Sequence, residues 1–180
     1  MQQVPLAERM RPRHLQDIIG QEHLTGEGSV LRRSVQSGHL PSMIFWGPPG
    51  VGKTTLANAV ASDAGRPFFQ LSAISSGVKE IREVIAKAEQ LKGAVLFIDE
   101  IHQLSRVVEE SLYPAMEDQR IDIMIDSGPN ARSIQLTLNR FTLIGATTRS
   151  GLLTAPLLSD RKSTRLNSSH SSVSRMPSSA

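Results

Sequence analysis

The chain has 180 residues, no cysteine, 4% aromatic residues and a formal net charge of +3, which excludes a disulfide scaffold, a zinc ribbon, a thiol nucleophile and the aromatic stacking platforms of a single-strand-binding protein. Arg161, Lys162, Arg165 and Arg175 all fall in a final stretch that contains no acid, so the basic character belongs to the tail and says little about partners of the folded part. The N-terminus carries Glu8, Arg9, Arg11 and Arg13 in place of an apolar signal core, and no apolar run is long enough to span a bilayer; one cytoplasmic domain with a tail is expected.

Apolar stretches alternate with helical patterns in the manner of βαβ units, which implies an α/β fold with a parallel sheet. In chain order, Met43 to Trp46 reads as a short buried strand and Thr54 to Ala64 as a helix opened by a glycine-rich turn. Phe68 to Leu71 reads as a second strand. Val78 to Leu91 puts Val78, Ile81, Ile85 and Ala88 on one face, as an amphipathic helix requires. Ala94 to Ile98 is wholly apolar and is expected to be a central strand. Ser105 to Glu117 reads as a third helix with Ser105 as its N-cap, and Phe141 to Ala146 as another buried strand.

Before that last strand, Ile121, Ile123 and Ile125 alternate with polar residues or Met124, Ser127-Gly128-Pro129-Asn130 supplies a turn, and Ile134, Leu136 and Leu138 alternate again. Two period-2 runs around a turn predict a β-hairpin over Ile121 to Leu138. It is either an extra pair of edge strands or a protruding hairpin whose apolar face is kept for a partner. From Ser163 to Ala180 the chain is serine-rich with no helical or strand period, so a disordered tail over residues 161–180 is expected. The tail is similar to the read-through peptide of a cloning or sequencing adapter; a natural basic tail is the alternative.

Gly47-Pro48-Pro49-Gly50-Val51-Gly52-Lys53-Thr54 fits G-x-x-x-x-G-K-[ST] where a strand gives way to a helix. Its glycines let backbone amides approach phosphate oxygens, and the helix N-terminus adds unpaired donors. Lys53 would set a cation on the β/γ-phosphates, and Thr54 would offer a hydroxyl to Mg²⁺, with Thr55 next to it in the same site. A chance glycine-rich turn is the alternative. Asp99 and Glu100 follow the apolar strand at the sheet edge where ligands gather in open α/β folds. Asp99 can hold Mg²⁺ through water, and Glu100 can orient and deprotonate an attacking water. Alone they could be a charge pair at a helix N-terminus. Together with the phosphate loop they favour ATP hydrolysis, and no Asn-Lys-x-Asp guanine-reading motif occurs. Thr147 and Thr148 end the strand that begins at Phe141; a hydroxyl there could meet the attacking water or the γ-phosphate, or simply close a threonine-rich strand. His102 could bridge the site to the following helix, although a packed or solvated histidine is the plainer reading. No other ligand stands at zinc spacing to it.

With these elements in place, the chain resembles an AAA+ P-loop NTPase of the clamp-loader and helicase kind. Glu8-Arg9-Met10-Arg11-Pro12, Ile19-Gly20-Gln21-Glu22-His23-Leu24, Pro41-Ser42-Met43-Ile44 and Leu71-Ser72-Ala73 resemble the RarA (MgsA) recombination family. Asp99-Glu100-Ile101-His102, Leu112-Tyr113-Pro114-Ala115-Met116-Glu117-Asp118, the hairpin, and Gly145-Ala146-Thr147-Thr148-Arg149 through Pro156 are similar to the RuvB family of Holliday-junction branch-migration motors. The second block is longer and includes the hairpin, so RuvB is the preferred resemblance, with RarA as the alternative.

The resemblance implies an AAA+ core over residues 1–160, without the helical lid, its second sensor arginine or a winged-helix DNA-binding domain. It implies Thr148 as the γ-phosphate sensor and an adenine pocket along Arg11 to Gln21, with Ile18 and Ile19 on the base. It also implies a RuvA-like partner docked on the Ile121–Leu138 hairpin, branched DNA as the substrate and a homo-oligomeric ring. Arg161 stands near the position of the arginine that reaches a neighbour's γ-phosphate, but at the foreign tail. Gln103 departs from the basic residue usual after the histidine. The expected activity is ATP hydrolysis driving DNA recombination; a nucleotide-dependent binding module without turnover is the rival, and a small-molecule kinase lacks an acceptor-binding lid.

Overall fold

The computed structural model describes residues 5–91, 93–124, 133–152 and 164–167. Short helices α1 (Leu6–Arg9), α2 (Glu22–Thr25) and α3 (Val30–Gln36) and a 3-10 turn (Leu15–Asp17) lead into β1 (Met43–Trp46). There follow α4 (Lys53–Asp63), β2 (Phe68–Ser72), α5 (Val78–Glu89), β3 (Val95–Asp99), a 3-10 turn (Ile101–Gln103) and α6 (Arg106–Glu117). The described chain continues with β4 (Arg120–Met124), β5 (Ser133–Thr137), β6 (Thr142–Thr147) and β7 (Thr164–Asn167). Each strand and long helix read from hydrophobic period recurs within a residue or two of its expected bounds, and Ser105 caps α6 by accepting from the Val108 amide at 3.4 Å. The three N-terminal helices were not anticipated.

Five strands form one sheet in the order β2-β3-β6-β1-β7, every pair parallel. β3 is interior, as its wholly apolar text requires, although β6 holds the middle of the order. Successive β3 side chains feed opposite cores: Leu96 and Ile98 pack with Ile81, Ile85, Leu112 and Leu143, whereas Val95 and Phe97 pack with Phe45, Leu56, Val60 and Ile144. A parallel strand buried on both faces has no polar side to alternate. β4 and β5 pair antiparallel, with Ile121 opposite Leu136 and Ile123 opposite Ile134, so the hairpin is present; its tip, and whether its apolar face is open, lie outside what is described.

The tail expectation needs correction over four residues. Thr164–Asn167 pair in parallel with Met43–Trp46 as β7. The outer edge of β1 carries a row of main-chain donors and acceptors, and an extended segment can satisfy them through backbone alone, without an apolar period to announce it. The rest of the tail lies outside the described residues.

Registry brings the functional ends together: Trp46 is opposite Thr147, Ile98 opposite Gly145, and Ser72 opposite Asp99. Gly145 sits in the buried middle of β6, where an added Cβ would lie 2.7 Å from both Ile101 Cδ1 and Ile44 Cδ1. The missing side chain lets the turn after β3 pack down on the sheet. Gly145→Ala is expected to cost about 1–3 kcal/mol by overpacking, read as a lower urea midpoint at unchanged slope.

Candidate nucleotide site

The phosphate loop leaves β1 at Gly47, whose amide donates to Thr147 O at 3.2 Å, and enters α4 at Gly52. Gly50 and Gly52 have φ of 79° and 87°, a left-handed backbone that costs an L-residue strain. A Cβ at either would meet nothing within 4 Å, so backbone conformation, rather than crowding by the protein, demands glycine there. Gly52 is the N-cap of α4 and brings no side-chain acceptor, so the first-turn amides remain open to an anion.

Lys53 is 7% exposed. Its Nζ donates to Gly47 O and Pro48 O, both at 2.8 Å, which folds the ammonium over the loop. Burial holds its pKa below the ordinary 10.5, while the charges of Glu100 and, less strongly, Asp99 push it back up. The loop cation and the two strand-end acids therefore share one side of the molecule. The sign of the pH effect follows. Between the lowered value and 10.5 the unfolded chain binds the proton more readily, so stability rises with pH across that window. Affinity for a phosphate anion runs the other way: the dissociation constant of the free protein for ATP should climb at a pH below the usual lysine value, and Lys53→Arg should flatten that limb in fluorescence titrations.

Asp99 ends β3, and its Oδ1 accepts from the Glu100 amide at 3.1 Å. Glu100 has φ 51°, rare for a residue with a Cβ and seen where surrounding structure over-determines the backbone. Its Oε2 accepts from Thr148 Oγ1 at 3.2 Å and lies 3.3 Å from His102 Nδ1. Thr147 Oγ1 is 2.8 Å from the same Nδ1 and accepts from the Arg149 amide at 3.0 Å. Thus the two threonines divide the work: Thr148 faces Glu100, and buried Thr147 faces His102. The plainer sequence reading of His102 as packed or solvated missed this contact. Nothing local announces a bond between residues 45 positions apart, and only the pairing of β3 with β6 creates it.

A cleft of about 330 Å³ lies between the N-terminal segment and the loop, lined among others by Pro12, Asp17, Ile18, Ile19, Val51 and Thr55, a size suited to a small ligand. Ile18 and Ile19 both line it; Ile18 also packs on the core beneath, while Ile19 is 96% exposed. Arg11 is not among the lining residues; Pro12 takes that place. Two supports had no advance signal. Gln21 Nε2 donates to Val51 O at 2.7 Å. Asp63, at the end of α4, accepts from the Leu15 amide at 2.9 Å and pairs with His14 Nδ1 at 2.7 Å, tying the N-terminal segment to the helix that begins in the phosphate loop. Arg161 lies outside the described residues.

Comparison with known proteins places this geometry in a family. The chain matches the family model described as "Holliday junction DNA helicase RuvB P-loop domain" over residues 10–166, a span that includes the stretches resembling RarA from Met10 onward. It is 48% identical over 151 residues to the Holliday junction branch migration complex subunit RuvB of Salinibacter ruber, covering 82% of this chain and 43% of that protein. To the same subunit of Prosthecochloris aestuarii it is 50% identical over 153 residues, covering 83% and 44%. The solved Thermotoga maritima RuvB Holliday junction branch migration motor superposes with a TM-score of 0.69 at 37% identity, over 88% of this chain and 48% of that one. The chain thus spans a little under half the length of these relatives. No helix among the described residues is long and apolar enough to cross a membrane. On a family match that runs through the phosphate loop, the strand-end acids and the threonine pair alike, the chain belongs to the RuvB P-loop domain family.

Proposed function

We propose that this chain is the ATP-binding and hydrolysing core of a cytoplasmic RuvB-type branch-migration motor. The observation that carries the reading is the convergence of Lys53, Asp99, Glu100 and Thr148 at the carboxyl edge of one parallel sheet, where open α/β folds bind their ligands. Lys53 and the open amides of α4 grip the β- and γ-phosphates, and the cleft beside Ile18 and Ile19 takes the adenine. Glu100 accepts the proton of the attacking water, and Thr148 senses the γ-phosphate next to it.

The Thr54 hydroxyl and the Asp99 carboxylate are hard oxygen donors suited to Mg²⁺. When bound, this ion neutralises developing phosphate charge. Turnover by the motor draws on a neighbouring copy in a ring, with branched DNA as the substrate. A RuvA-like partner docks on the Ile121–Leu138 hairpin.

The test is a titration of the chain with fluorescent ATP and GTP in Mg²⁺ buffer, followed by phosphate release with and without a synthetic four-way junction. Preference for ATP and Glu100-dependent release support the reading; binding of neither nucleotide overturns it.

A further inference from the structure

We infer that His102 is a positioning residue for Glu100, and that hydrolysis depends on the proton at its Nδ1 while nucleotide binding does not; this rests on the reading of Glu100 as the proton acceptor. The imidazole is 5% exposed at its side chain and lies beside a carboxylate that is 25% exposed. Its Nδ1 stands between two oxygens, Glu100 Oε2 at 3.3 Å and Thr147 Oγ1 at 2.8 Å.

The protonation of that nitrogen follows from its neighbours. An unprotonated Nδ1 would aim a lone pair at the carboxylate, whereas Nδ1–H is attracted to both oxygens at once. Thr147 is suited to accept, because its hydroxyl oxygen is already fixed by the Arg149 amide at 3.0 Å and keeps a second lone pair. The ring therefore donates from a scaffold held by the backbone of the β6 exit.

Both described contacts to the Glu100 carboxylate, from Thr148 and from His102, fall on Oε2, which leaves Oε1 as the oxygen to take a proton from water. Glu100 also sits at φ 51°, a conformation that needs support from its surroundings. Ile101, fully buried against Gly145, supplies that support from below, and His102 supplies it at the side chain. Neither Lys53 nor the phosphate loop has a described hydrogen bond to the ring, so losing it should spare ATP affinity.

Three variants separate this role from simple packing. Asparagine attaches its amide nitrogen to Cγ, where histidine has Nδ1, whereas glutamine places it one bond further out, and phenylalanine keeps the ring without a donor. In single-turnover hydrolysis with enzyme in excess, His102→Phe and His102→Gln should slow the step about 10²-fold, as expected for a misplaced catalytic group. His102→Asn should recover most of the rate, and all three should bind ATP with affinity within about threefold of the parent.

Glu100→Gln is run alongside. If it turns over like the parent, the reading of Glu100 fails and the proposal with it; if it is inactive while His102→Phe and His102→Gln hydrolyse normally, the positioning role alone is overturned. Independently of turnover or of variant folding, long-range ¹H–¹⁵N spectra of the unmodified chain should give the Nδ1–H signature at His102. An Nε2–H tautomer there overturns the proposal.

Discussion

Lys53→Ala should bind ATP about 10²-fold more weakly than the parent, the loss expected when charge-assisted hydrogen bonds worth about 1.5–3 kcal/mol are removed from an anion site. Weakened binding and an unfolded loop must be told apart, and the structure allows it. The ammonium is buried at a desolvation cost, and its hydrogen bonds go to Gly47 O and Pro48 O rather than to the core. Removing it relieves the buried charge but leaves the buried Gly47 carbonyl without that donor, and these effects oppose each other. The variant should therefore melt close to the parent when no nucleotide is present. ATP at a few times the parent's dissociation constant should raise the parent's melting temperature by mass action and leave that of Lys53→Ala nearly unchanged. A variant that melts much lower on its own would mean that Lys53 holds the loop together, and that its phosphate role cannot be read from binding alone.

The phosphate loop, the strand-end acids and the four strands and three helices around them were legible because each is a local pattern. Ala94 to Ile98 is apolar throughout and too short for a helix, which reads as a strand buried on both faces, and a glycine-rich turn between an apolar strand and a helix has few other uses. The N-terminal helices were not legible. Glu22–Thr25 and Leu6–Arg9 span four residues each, too short for a helical period; the first is anchored by buried Leu24, whereas Leu6 in the second stays exposed. Asp63 carries no local signal for its partner; the fold brings the Leu15 amide to it. The same holds for His102: its role depends on Thr147, which β6 delivers through its pairing with β3. β7 escaped for a different reason, since backbone pairing at an open edge leaves no mark in the side chains. Long-range pairings write little into the local sequence, and in this site they set the orientation of groups whose identity was already plain.

Glu100→Gln should retain ATP binding and lose hydrolysis by about 10²–10⁴-fold, the usual contribution of a positioned general base. Glutamine keeps the length of the side chain and one carbonyl oxygen, so it can still accept from Thr148 Oγ1 and lie beside His102 Nδ1; what it loses is the ability to hold a proton taken from water. The backbone at φ 51° is as strained for glutamine as for glutamate, so stability should change little. Removing a negative charge from beside the γ-phosphate position should leave ATP affinity equal or higher near neutral pH. At alkaline pH the sign reverses. Glu100 is the larger of the two charges that hold the Lys53 pKa up against burial, so the variant's Lys53 should lose its proton at a lower pH than the parent's. Binding by Glu100→Gln should then begin to fail earlier as pH rises, with Asp99 alone supporting the cation. Single-turnover hydrolysis and ATP titrations across the alkaline range read both effects. Unchanged hydrolysis would remove Glu100 as the proton acceptor, and an alkaline limb identical to the parent's would mean that its charge does not reach Lys53.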